Sequence, residues 1–157
     1  MIDVKKIDKY EFDLDNYALR VGDDASYNTY YSISINYNNE SFNIGLQMPE
    51  TGIPPQVILF NNHILIGAEG VYIWQPNMGK PLYYKLGAPF YEFYVVGDSI
   101  VILYEIGVIA INTNFTKKWE KSFSEIVDIE RIADNILVLK NFNGKLIKLD
   151  LSTGECI

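Results

Sequence analysis

The chain has 157 residues, 20 Asp and Glu against 13 Lys and Arg, and a formal net charge of −7, with 12 Tyr, 8 Phe, one His and one Cys. One domain spanning 1–157 is expected at this length, and 48% hydrophobic with 21% charged residues is a globular balance that excludes a disordered chain. The acidic excess argues against nucleic acid, whose phosphates take clustered Lys and Arg, and fits a protein that meets a basic partner.

Alternation dominates from the start of the chain. Tyr10, Phe12 and Leu14 interleave with Glu11, Asp13 and Asp15, which predicts a strand with one wet face, turned at Asp15-Asn16. Tyr17, Leu19 and Val21 continue the pattern up to the loop Gly22-Asp23-Asp24-Ala25-Ser26. Tyr31, Ile33, Ile35 and Tyr37 then alternate with polar residues, Asn38-Asn39-Glu40 turns the chain, and Phe42, Ile44, Leu46 and Met48 return. Residues 8–48 therefore read as a four-stranded antiparallel meander. Pro49 to Pro55 is a breaker-rich connector. Beyond it strands are apolar on both faces, as in Val57-Ile58-Leu59-Phe60 and Ile100-Val101-Ile102-Leu103, the pattern of sheets covered on both sides.

A period emerges over residues 56–157. Asn61-Asn62-His63-Ile64-Leu65-Ile66, Gly97-Asp98-Ser99-Ile100-Val101-Ile102 and Ala133-Asp134-Asn135-Ile136-Leu137-Val138 align without a gap at a spacing of 36. Gly70, Gly107 and Gly144 recur at a spacing of 37, each ahead of an apolar strand that ends in a polar turn. The alternative is a run of plain hairpins of similar length. The segment Asp134 to Val138, followed by Asn143 to Glu155 with its Leu149-Asp150 and Thr153-Gly154 pairs, resembles a β-propeller repeat of the PQQ-like and WD40-like kind. Trp119 stands where such repeats often place a docking tryptophan. Gln75 and Asn112 depart from the Asp of the pattern, and quinone chemistry, which belongs to a much larger ring, is not carried over.

The fold expected is all-β: a meander and three propeller-like repeats, closed as a very small ring or left as an open stack of sheets. If the sheets close into a ring, an N-terminal strand such as Val4–Leu14 is expected to complete the last of them. An open stack exposes strand edges and favours a homo-oligomer. The Met1–Asp8 start holds no apolar stretch of signal-peptide length. The longest apolar span, Ile100–Ile111, is interrupted by Glu105 and too short for a bilayer, so a cytoplasmic protein without a membrane partner is expected.

No catalytic motif is present. His63 lies in a turn at the place Ser99 and Asn135 fill in the sister repeats, and Cys156 is penultimate with no second histidine near it in sequence. Two such residues cannot make a zinc site, and Asp13-x-Asp15-Asn16 lacks the later oxygen ligand and glycine of a calcium loop. No cofactor is implied. Between Tyr10 and Pro55, however, seven acids face one base, Arg20, and six tyrosines accompany them. Asp23, Asp24, Tyr27 and Tyr30 are singled out: aspartate steers a basic partner and tyrosine supplies contact area at low entropy cost. The alternative is a solvated loop whose tyrosines fold back onto the sheet. The function expected is a non-enzymatic protein-interaction module, of the immunity or inhibitor type. The other reading is a glycan or small-ligand binder that stacks a sugar on an aromatic such as Trp74.

Overall fold

The computed structural model describes residues 1–157, which divide into two compact units, Met1–Lys85 and Leu86–Ile157. The first unit holds β1 (Ile2–Ile7), α1 (Lys9–Leu14), β2 (Leu19–Val21), β3 (Thr29–Tyr37), β4 (Glu40–Met48), β5 (Gln56–Phe60), β6 (His63–Gly67), β7 (Gly70–Trp74) and β8 (Leu82–Lys85). The second holds β9 (Phe90–Val96), β10 (Ser99–Tyr104), β11 (Gly107–Asn112), β12 (Lys117–Ser122), β13 (Val127–Ala133), β14 (Ile136–Asn141) and β15 (Leu146–Asp150). The chain is all-β apart from α1.

In the first unit one sheet runs β1-β3-β4-β2 and the other β5-β6-β7-β8. The β3–β4 hairpin turns on Asn38-Asn39, at φ 50° and 62°, the paired left-handed conformation that matches strand twist in two-residue hairpins. The alternating residues Ile33, Ile35, Ile44, Leu46 and Met48 pack with Ile64, Ile66, Tyr72 and Trp74 in one core. Alternation in the sequence thus marks the buried face of this sheet correctly from Tyr31 to Met48.

The expectation for residues 8–22 is corrected. Residues Lys9–Leu14 form a helix, because Asp8 accepts from the Glu11 N–H at 2.8 Å while the Glu11 carboxylate accepts from the Asp8 N–H at 3.3 Å. This capping box satisfies two N-terminal donors, and a short alternating run carries no signal strong enough to oppose it. The sheet is therefore not a meander: β1 pairs antiparallel with β3, and β2 pairs parallel with β4. Because Ile2–Ile7 pairs with β3, it does not complete the last sheet.

In the second unit the sheets run β12-β11-β10-β9 and β13-β14-β15, with Cys156 bridged to Leu149 beside β15. Val101, Leu103, Val108 and Ala110 share a core with Val127, Leu137, Leu139 and Leu149. Every residue of β7 and of β10 is buried, so both faces of these strands are covered, as their composition requires.

The repeats are real, with one slip. The tight turns are Asn61-Asn62, Gly97-Asp98 and Asp134-Asn135, set by the flanking pairs Phe60↔His63, Val96↔Ser99 and Ala133↔Ile136. The third turn stands one residue later than a gapless alignment puts it. The recurring glycines also serve two different purposes. A Cβ at Gly70 would lie 2.5 Å from the Tyr83 ring, and one at Gly107 would lie 2.3 Å from the Tyr104 hydroxyl, so both make room for a tyrosine. Gly144 instead has φ +80° and open space around it, a turn glycine chosen for its backbone.

Trp119 docks as the resemblance implies. Its indole N–H donates to the Leu151 carbonyl at 2.7 Å, and its ring lies against Gly154, where a Cβ would sit 2.5 Å from the indole. The tryptophan of one sheet thereby holds the Thr153-Gly154 turn of the next.

Candidate functional site

Of the four singled-out residues, Asp23, Asp24 and Tyr27 lie in the β2–β3 connection and Tyr30 lies near the start of β3. Phe12, the one buried residue of α1, packs against Tyr17 at 5.3 Å and Tyr30 at 5.1 Å between ring centroids. Gly45 of β4 makes this possible, since a Cβ there would lie within 2.9 Å of both the Phe12 and Tyr17 rings. Arg20 closes the cluster, its guanidinium 4.9 Å from the Phe12 centroid and 5.2 Å from that of Tyr17. It also donates to the Phe12 and Asp15 carbonyls at 3.1 and 3.2 Å, where the helix ends. Tyr30 is accordingly part of the helix's seat as well as a half-buried surface residue.

The loop itself is tied down at both ends. Gly22 has φ +77° and its missing Cβ would fall 1.7 Å from the Gln47 carbonyl oxygen, so the chain runs directly against β4. The Gln47 side-chain amide donates to the Asp24 and Tyr27 carbonyls at 3.1 and 2.8 Å. The Asp24 carboxylate accepts from the Ser26 N–H at 2.8 Å and the Ser26 hydroxyl at 2.6 Å, and these bonds hold it below the usual carboxylate range. Asp23 is exposed, and with Phe12, Asp13, Arg20, Val21 and Gln47 it lines a pocket of ≈ 300 Å³. Tyr10 and Leu14 of α1 add apolar area, at 73% and 67% exposure.

Tyr27 leads to a group that sequence reading misses. Glu69, in the β6–β7 turn, accepts a short hydrogen bond from the Tyr72 hydroxyl, while its second carboxyl oxygen, Oε2, is buried without a partner. Burial pushes the Glu69 carboxyl up, and the Tyr72 bond opposes that only in part. Tyr72 stacks on Tyr83 at 4.7 Å, and burial together with the charge of Glu69 pushes the hydroxyls of Tyr27, Tyr72 and Tyr83 up. The Glu69-Gly70 pair, ahead of a strand that carries Tyr72, is the available signal. It reads as a turn because nothing local shows that the carboxylate folds inwards.

The acid excess is smaller in space than in sequence. Lys6 pairs with Glu50 at 3.1 Å, Lys9 with Asp13 at 2.7 Å and Lys5 with Glu11 at 3.9 Å, all three lysines preceding the acidic stretch. Asp23 and Asp24 are in no such ion pair.

His63 and Trp74 both face backbone carbonyls. The His63 ring Nδ1 lies 2.7 Å from the Asn61 carbonyl, which can only accept, so that nitrogen carries the hydrogen. Trp74 is 3% exposed and donates from its indole to the Met78 carbonyl, which removes it as a platform for a sugar. No helix is long and apolar enough to cross a membrane.

Neither a family model nor a curated protein matches the sequence. Solved structures do match. The structure of HIRA(644-1017) aligns with 99% of this chain and 48% of its own, at 11% identity and a TM-score of 0.56. BamB from Moraxella catarrhalis aligns with 99% of this chain and 50% of its own, at 12% identity and a TM-score of 0.50. Both are β-propellers, so the sheets of this chain are propeller-like blades. The chain spans about half the length of the structures it matches.

Proposed function

We propose that this protein is a non-enzymatic interaction module that engages a basic protein partner through α1 and the Gly22–Asn28 loop. One observation carries the reading: Asp23 and Asp24 are in no ion pair on a loop fastened by Gly22 and Gln47, and Asp23 shares a pocket with Phe12 and Asp13 of α1. Pre-organised carboxylates steer a basic partner on approach, and aromatic or apolar side chains beside them supply the area that slows its departure. The propeller-like fold supplies a rigid frame for such loops. An immunity or inhibitor role, in which the module occludes the site of a basic toxin, is the form this function takes most simply.

The test is capture from the native cell with the wild-type chain and with Asp23→Lys/Asp24→Lys in parallel, followed by kinetics on the purified pair. A basic protein retained by the wild type and lost from the variant, with association slowing as salt rises, is the expected result. A partner retained equally by both chains overturns the assignment.

A further inference from the structure

We propose a second docking surface, on the second unit, for a linear peptide segment that carries an apolar anchor between Lys or Arg residues. The centre is Phe142, at the tip of the β14–β15 turn and 82% exposed, beside Ile126 at 42%. A large aromatic side chain left in water at a mobile tip would mean little. Here the backbone that carries it is held in place. The Asn141 N–H donates to the Lys145 carbonyl at 3.0 Å, the Phe142 N–H to the Ile126 carbonyl at 3.1 Å, and Gly144, at φ +80°, completes the turn. The Glu125 carboxylate in turn accepts from the Asn141 and Asn143 side-chain amides at 2.8 and 3.1 Å, which locks the neighbouring segment to the turn.

The surroundings specify the occupant. Phe142, Ile126 and Ile106 form the apolar part of an open groove of ≈ 560 Å³, and Glu105 and Glu125 stand on its rim. Phe142 and Ile126 also line a further groove, with Val127 and the acids Asp128 and Glu130. Lys140 there pairs with Glu130 at 4.0 Å. Glu105, Glu125 and Asp128 are in no ion pair; Lys145 lines a neighbouring pocket with Glu125, and the carboxylates around the exposed apolar residues still outnumber the cations. The hydroxyl of Tyr91 registers that field: burial raises its pKa first, and the charges of Glu105 and Asp128 raise it further.

An apolar side chain set into the groove, with basic residues on either side reaching these carboxylates, satisfies both features together. An acidic or uniformly polar segment satisfies neither. A groove of ≈ 560 Å³ fits a few side chains, the scale of a linear segment rather than of a flat protein face.

Random dodecapeptides displayed on phage, selected on the immobilised full chain, provide the test. Selection is expected to yield a consensus with Leu, Phe, Trp or Met between Lys or Arg residues. A labelled synthetic peptide of that consensus should bind at least tenfold more weakly to Phe142→Ser, whose side chain is too exposed to matter for folding. Glu105→Gln/Glu125→Gln should weaken binding several-fold and flatten its salt dependence, and Asp23→Lys/Asp24→Lys should leave it unchanged, which separates this surface from that on the first unit. Failure to enrich any peptide, a consensus without basic residues, or equal affinity for wild type and Phe142→Ser each overturns the proposal.

Discussion

Gly154→Ala and Gly144→Ala are the same chemical change at nearly the same backbone angle, φ +73° and +80°, in two different surroundings. A Cβ at Gly144 meets nothing within 4 Å, so alanine there bears only the left-handed conformation, about 1–2 kcal/mol. A Cβ at Gly154 meets three Trp119 ring atoms at 2.5, 2.7 and 2.9 Å. The indole cannot swing away without breaking its 2.7 Å bond to the Leu151 carbonyl and uncovering a buried acceptor. Overpacking of this kind costs about 1–3 kcal/mol, so Gly154→Ala should lose about 2–5 kcal/mol in total. The difference between the variants, about 1–3 kcal/mol, isolates the docking of Trp119 on the turn. Urea unfolding followed by tryptophan fluorescence measures it, since about 1–3 kcal/mol per molar denaturant converts that difference into a clear shift of midpoint. Equal midpoints for the two variants would refute the idea that Trp119 clamps the next sheet.

Glu69→Gln keeps the shape of the side chain and removes its charge. Because burial raises the folded-state pKa of Glu69, its contribution to stability is complete below the unfolded carboxyl value of 4.5 and is lost as pH rises through the folded value. The variant should therefore gain in melting temperature relative to wild type at pH 8 compared with pH 4, and an equal offset at both pH values would dismiss an inward-turned carboxylate. Asp8→Ala removes the helix cap and should cost about 1 kcal/mol in chemical unfolding, with Asp8→Asn nearly neutral; no loss would mean that α1 owes its place to Phe12 alone. Gly22→Ala should detach the loop from β4, seen as faster amide exchange at Tyr27 and Asn28, since the added Cβ cannot fit 1.7 Å from the Gln47 oxygen. Unchanged exchange would show that the loop's position does not depend on that contact.

The acidic stretch shows how far counting residues carries. Seven acids against Arg20 between Tyr10 and Pro55 is correct as a count, yet Lys5, Lys6 and Lys9 neutralise three of them from outside the stretch. The opposite happens in residues 56–157, where 11 acids nearly balance 9 bases but Glu105, Glu125 and Asp128 are in no ion pair. Tyr30, read as a surface aromatic, is shared with the Phe12 cluster, while the Tyr27 hydroxyl feels the charge of a half-buried glutamate some forty residues away in the chain. Charge and aromatic content are local in sequence; their pairing is settled across the sheet.

Alternation from Tyr31 to Met48 determined a half-buried hairpin, because a period of two can bury only one face. Apolar runs such as Ile100–Leu103 determined strands covered on both sides, and the recurring turns and glycines determined a repeated sheet. These features rest on neighbours a few residues apart, where side-chain direction and backbone angle are fixed by local geometry. Tertiary structure alone decided that Asp8–Glu11 starts a helix seated on Gly45, that β1 joins β3, and that Glu69 turns inwards. It alone decided that Gly70 and Gly107 yield space to tyrosines where Gly144 yields a backbone angle. Each of these depends on an atom brought close by another strand, and a one-dimensional pattern holds no record of which strand that will be.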